Sequence, residues 1–270
     1  MVCIFCEEQA PWEKAAMKVI MLGCSGGDAA GRQYVSTYLI NGTVAVDAGC
    51  LGFHGAPQQQ ELIRDVLLTH AHADHIASLP FFLENAWTPS PDCPVVYGNP
   101  HTLDVLRRSI FNDEVWPDFV ALSERIPPFL RLQALQPEVP IEAGGLIITP
   151  VAVNHSVPTL GYIIRDGGTA VVFAGDSGPT TRLWQLACET PGLRAVFLEA
   201  SFPNRMKAVA EASLHLTSEM FGREAAKVPA GVRIIAVHLK VRFRDEIISE
   251  LDALQIPCLE IGECNREYTF

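Results

Sequence analysis

A chain of 270 residues, 49% hydrophobic and 19% charged, has ample apolar material for a core, which excludes a disordered or fibrous protein. Its formal net charge of -11 disfavours a protein that grips large nucleic acids through a broad basic face. No apolar run is long enough to span a bilayer, so no membrane partner is expected.

The start, Met1 to Glu8, is acidic and lacks the basic-then-apolar layout of a secretory signal. Residues 1–16 read as an N-terminal appendage to one domain over residues 17–270. The eight cysteines are scattered without a framework, so reduced thiols and a cytoplasmic location are expected. Cys3 and Cys6 make a lone pair with no second pair of similar spacing, and incidental placement is the simpler reading.

Regular pattern begins with a strand over residues 17–23. It runs into Gly23-Cys24-Ser25-Gly26-Gly27, a turn that lacks the Lys-Ser/Thr of a phosphate loop. Residues 34–40, Asn41-Gly42 and residues 43–49 read as a β-hairpin. Asp47, near its end, either braces a metal-binding histidine or caps the following turn. A helix over residues 56–64 leads into a buried strand at 65–69.

That strand ends at His70-Ala71-His72-Ala73-Asp74-His75, three imidazoles and a carboxylate within six residues. A turn at the carboxyl end of a strand is where open α/β sheets bind ligands. His70 and His72 alternate, so extended chain can aim both at one point. Asp74 and His75 lie past the bend and can aim at a second point nearby. Imidazole and carboxylate suit zinc, iron or manganese, and two adjacent foci suggest a two-metal site.

A helix to about residue 87, a strand at 95–98 and a helix over 101–111 follow, with His101 capping or solvated at the helix start. Residues 112–140, rich in proline and aromatics, read as a loop or lid. Within it Trp116 and Phe119 either stack on a substrate ring or plug the core beneath. A strand over 146–153 delivers His155. A hairpin over 161–164 and 169–174 delivers Asp176, whose two oxygens can bridge two metals. The strand at 195–201 carries Glu199. Helices over 207–213 and 218–227 flank His215. The strand at 232–237 delivers His238, with Lys240 and Arg242 just beyond, either meeting phosphate oxygens or solvated. A helix over about 242–254 and a strand at 258–261 complete the pattern.

These residues make a consistent ligand set. His70, His72 and His155 form one focus, Asp74, His75 and His238 the second, and Asp176 joins them. Two divalent cations are the cofactor expected, zinc first, with manganese or iron as alternatives. The set argues for hydrolysis without a redox or nucleotide cofactor. Asp74, His215 and Glu199 are the candidate catalytic residues. His215 is placed to protonate a leaving group, with Glu199 as the natural partner to orient it, although helix capping explains His215 equally well on spacing alone.

His-x-His-x-Asp-His after a strand resembles the metallo-β-lactamase superfamily. That resemblance implies an α/β protein, a four-layer αβ/βα sandwich with its metals at one edge between two sheets. The family carries an Asp-x-Gly where Asp47 stands, which implies the bracing role for it. Glu199-Ala200-Ser201-Phe202, His215-Leu216-Thr217 and His238-Leu239-Lys240-x-Arg242 resemble the phosphodiesterase branch that includes tRNase Z. His155 and Asp176 are joined by only a short hairpin, leaving no room for a tRNA-gripping arm. Phe111-Asn112 with Trp116-Pro117-Asp118-Phe119, Gly175-Asp176-Ser177-Gly178-Pro179-Thr180 and Ser201-Phe202-Pro203-Asn204 are more similar to class II cyclic-nucleotide phosphodiesterases. Ala73 and Ser78 stand where that family commonly has leucine and glycine. The resemblance implies a binuclear phosphodiesterase that opens 3′,5′-cyclic nucleotides, small anionic substrates, to 5′-nucleotides; the sequence is silent on oligomeric state, for which a homodimer is a common default. The alternatives are a tRNase Z-like phosphodiesterase and a lactone or thioester hydrolase.

Overall fold

Alternation along the strands decides the layers. In β1 (Lys18–Gly23), Val19 and Met21 face one way while Ile20 and Leu22 face the other, and apolar side chains meet the strand on both sides. A strand covered on both faces needs a second sheet on one side and helices on the other. The structure, a computed structural model, describes residues 16–24, 26–125 and 127–270. The Cys3–Cys6 pair and all of the 1–16 appendage except Ala16 lie outside those residues.

The first sheet contains β1, β2 (Thr37–Ile40), β3 (Val44–Val46), β4 (Asp65–Leu67), β5 (Val95–Gly98) and β6 (Arg131–Ala134) in that order. The second contains β7 (Ile141–Ala143), β8 (Leu146–Val153), β9 (Thr159–Asp166), β10 (Thr169–Phe173), β11 (Leu193–Glu199), β12 (Arg233–Val237) and β13 (Leu259–Ile261). A last strand, β14 (Arg266–Thr269), returns to the first sheet and pairs antiparallel with β1. In each sheet an antiparallel meander gives way to parallel strands, β3 to β6 in one and β10 to β13 in the other.

The sheets pack face to face. Tyr38 of β2 lies 5.1 Å from Phe173 of β10 and 5.2 Å from Phe197 of β11, ring to ring. Phe173 and Phe197 stack at 4.9 Å, and Tyr268 of β14 meets Phe197 edge-on at 5.6 Å. On the outer face of the first sheet, Leu79, Phe82 and Leu83 of the helix Leu79–Asn85 cover Val66 and Leu68. On the outer face of the second, Leu183, Phe221, Ile247 and Leu251 from three helices cover Val172, Val196 and Ile234. The expected four-layer αβ/βα sandwich is therefore the architecture observed.

Several elements depart from the sequence expectation. The helix over 56–64 is confined to Pro57–Gln60. The stretch 112–140 is not a bare loop, since it contains a helical turn at Phe119–Leu122 and the edge strand β6. The helix Arg182–Glu189 and β14 had no counterpart in the expectation. In β14 only Tyr268 is buried, so the strand carries almost no apolar alternation to read.

Strand direction positions the site. β8, β10, β11 and β12 run the same way, and their carboxyl ends open on one edge of the second sheet, opposite the end of β4 in the first. Truncating Phe197 to Ala leaves a hole where two sheets meet and is expected to cost about 3–5 kcal/mol. Val209→Ala, at a 45% exposed helix position, should stay within about 0.5 kcal/mol. Urea unfolding midpoints at unchanged slope measure both.

Candidate metal centre

Each strand end supplies one part of the site. Beyond β4, Thr69 and His70 remain buried and His72 begins the short helix Ala73–Ile76, which turns Asp74 and His75 inward. Beyond β8 stands His155. Beyond β10, Gly175 takes φ +67°, where a Cβ is costly, and swings Asp176 into the edge. Beyond β12, His238 holds φ +62°, a left-handed conformation rare outside glycine.

Two foci result. One ligand atom each from His70, His72 and His155 lie within 4.8 Å of one another, and the same holds for Asp74, His75, Asp176 and His238. His155 Nε2 is 3.3 Å from His72 Nδ1. Asp176 Oδ2 joins the foci, 4.0 Å from His70 Nε2, 3.3 Å from His75 Nε2 and 3.1 Å from His238 Nε2. Asp74 Oδ2 is 3.8 Å from His75 Nε2 and 3.5 Å from His238 Nε2.

The far side of each ring shows which nitrogen is free. Asp47 Oδ2 can only accept, so His75 carries its hydrogen on Nδ1 and donates it there at 2.7 Å. The Thr69 hydroxyl donates to Asp47 at 2.9 Å and accepts from His70 Nδ1 at 3.0 Å. His155 Nδ1 donates to the Leu214 carbonyl at 3.1 Å. His238 Nδ1 donates to Ser201 Oγ at 2.7 Å, and that hydroxyl passes its own hydrogen to Glu199 Oε2. Four imidazoles thus present Nε2 to the centre. Among the described residues, the Nε2 atoms of His70, His75 and His238 are buried without a hydrogen-bond partner. Orphaned buried nitrogens are costly unless something binds them, so the donor set fits divalent metal.

Electrostatics divides the two foci. Burial holds His70, His72 and His155 below the usual imidazole range, which keeps them in the neutral form that ligates. Burial also opposes charge on His238, but Asp176 outweighs it and pushes the imidazole up to about 9. Asp176 in turn, despite burial, is held well below the carboxylate range by His238 and His75. Protons at the second focus thus stand where a cation's charge would.

A further pair borders both foci. His215 Nδ1 donates to Glu199 Oε1 at 2.7 Å, leaving its Nε2 free. The His215 ring lies 4.9 Å from that of His155 and 5.2 Å from that of His238. Burial opposes charge on Glu199, yet the adjacent His215 keeps its carboxyl below the ordinary range. Glu199 is held further by the amides of Ser177 at 2.8 Å and Leu216 at 3.1 Å. Leu214 takes φ +54° and turns His215 into this position.

The candidate residues are thus brought together, with four exceptions. Phe119 is buried, stacked on Phe129 at 4.0 Å in the helical layer outside the first sheet, so it plugs the core and has no face for substrate. Trp116 belongs to the same layer, edge-on to Phe81 at 4.9 Å. Lys240 is half-buried near His238 and Arg242 is exposed, and neither has a side-chain partner among the described residues. Asp47 braces His75, as the Asp-x-Gly likeness implied. Sequence reading missed Thr69 and Ser201, whose only signal was a hydroxyl directly before His70 and two residues after Glu199.

Two outcomes follow. Loading the protein with zinc or manganese to about 100 times Kd should raise the melting temperature by roughly 5–10 °C, and a chelator should reverse it. Without metal, His238 is raised in the folded state above its ordinary 6.5, so its contribution to stability is full below about 6.5 and lost as pH rises through about 9. The melting temperature of chelator-treated protein should therefore fall over that window, and that of loaded protein should not.

The chain has relatives elsewhere. Residues 44–239 match the family model described as the beta-lactamase superfamily domain. A Yersinia pestis protein named probable 3′,5′-cyclic-nucleotide phosphodiesterase is 24% identical, over 88% of this chain and 84% of its own. A ribonuclease Z of Mycobacterium bovis is 30% identical over 47% of this chain and 49% of its own. Among solved structures, unliganded yeast PDE1 is similar at a TM-score of 0.77 and 19% identity, over 95% of this chain and 99% of that one. The Bacillus subtilis metallo-β-lactamase fold protein YhfI is similar at 0.74 and 23%, over 95% and 100%. With this fold and this family match, the chain belongs to the metallo-β-lactamase superfamily, a family of hydrolases.

Proposed function

We propose that this protein is a binuclear metal-dependent phosphodiesterase that opens 3′,5′-cyclic nucleotides to 5′-nucleotides. The observation that carries the reading is the Glu199–His215 pair, bonded at 2.7 Å and standing between a histidine of each focus. Hydrolysis of a lactone or thioester has no need of such a pair, whereas expulsion of a sugar alkoxide needs an acid. The Yersinia pestis relative, similar over 88% of this chain, supports the substrate class.

His70, His72 and His155 would hold one cation and Asp74, His75 and His238 the other, with Asp176 between them. Bound there, divalent cations acidify water and neutralise charge on phosphoryl oxygens. The rest is the work of the chain's own groups. Glu199 fixes the ring of His215 through Nδ1, so the proton that moves is on Nε2. As water oxygen bonds to phosphorus and gives up one proton to solvent, the P–O3′ bond breaks and the Nε2 proton passes to the departing 3′-oxygen. Asp74, the more exposed of the two carboxylates at the second focus, is placed to orient the water. Lys240, close enough to His238 to oppose its charge, supplies positive potential to an anionic substrate.

Purified protein with zinc or manganese should turn over cyclic AMP, cyclic GMP or both, and inactivity on both refutes the substrate class. His215→Ala should keep both metals and KM while kcat falls by about 10²–10⁴. Lactone hydrolysis that survives His215→Ala would replace this reading with the lactonase one.

A further inference from the structure

We propose that Cys24 and Cys264 are a reversible oxidation site, closed to a disulfide by peroxide, that ties the end of β1 to the β13–β14 connection. Their sulfurs are 3.6 Å apart although the residues are 240 positions apart in the chain. A disulfide needs about 2.05 Å, so the two must approach by roughly 1.5 Å.

Both backbones are pinned for that approach. β1 and β14 pair antiparallel with Met21 opposite Arg266, and continuing the register brings positions 24 and 264 within one residue of facing. The Asn265 amide donates to the Met21 carbonyl at 2.6 Å and the Gly262 amide to the Ala236 carbonyl at 2.8 Å, fixing the segment that carries Cys264.

Access is one-sided. Cys24 is buried, while Cys264 is half-buried and lines a surface hollow with Asp28, Arg32, Arg244 and Glu263. Peroxide can reach the pair from that hollow. One sulfur takes an oxygen from the peroxide, the O–O bond breaks, and water leaves with a sulfenic acid behind. The second sulfur attacks the first, the S–S bond forms and a second water departs. Two thiols are oxidised by two electrons and one peroxide is reduced to two waters. A thiol reductant restores the pair.

The test uses the full chain, hydrogen peroxide and alkylation of remaining thiols. A linked peptide joining Cys24 to Cys264 is expected, with a rise in melting temperature of roughly 10 °C that dithiothreitol reverses, since the link constrains a long loop of the unfolded chain. Cys264→Ser, at a half-buried position, should show neither under the same treatment. Free Cys24 and Cys264 at a dose that oxidises exposed Cys188 and Cys258 would overturn the site, as would a link from Cys24 to the nearby Cys50.

Discussion

The arrangement depends on one buried carboxylate oxygen. Asp176 Oδ2 lies within 4.0 Å of Nε2 on His70, His75 and His238, imidazoles from two chain segments on two different sheets. A carboxylate so buried cannot remain charged without compensation, and buried imidazoles without partners are costly too. Each is tolerable only because the others are there. The edge where the two sheets open is thus electrostatically closed around a shared positive charge, carried by protons at His75 and His238 when no cation is bound.

Around that point the molecule repeats one device. Four of the five imidazoles in the two foci turn one nitrogen inward while the other is tied to an oxygen: Asp47 behind His75, Thr69 behind His70, Ser201 behind His238 and the Leu214 carbonyl behind His155. The oxygens are themselves tied, Thr69 to Asp47 and Ser201 to Glu199. Glu199 thereby serves two imidazoles, holding His238 through Ser201 and His215 directly. Ring orientation is set before any ligand arrives, which lowers the cost of ordering the site on binding.

Much of this was legible in the sequence because chemistry and periodicity coincided. The strands at 65–69, 146–153, 169–174 and 232–237 were readable as apolar runs, and each ended on a residue able to ligate a metal. The family likeness then fixed the layers. What was not legible had weak local signal. Ser201 and Thr69 are ordinary hydroxyls in or next to strands, and only the folded chain shows a ring nitrogen beside each. Asp47 could have capped a turn until His75 was seen 2.7 Å away. β14 is half charged, with Tyr268 its only buried residue, and its pairing with β1 joins residues about 250 positions apart, which no local pattern reveals. Phe119 was ambiguous because an aromatic in a proline-rich stretch serves a ring stack and a core equally well, and its stack on Phe129 decides the matter.

The turn at Leu214 has a mechanical consequence. Its carbonyl holds His155 of the first focus, and its left-handed backbone places the very next residue, His215, against Glu199. One peptide therefore fixes the pose of two imidazoles. The surface helix Lys207–Ser213 that leads into it is a spacer of set length. Adding or deleting a residue there would rotate both rings together, so this stretch should tolerate exchanges of side chain far better than changes in length.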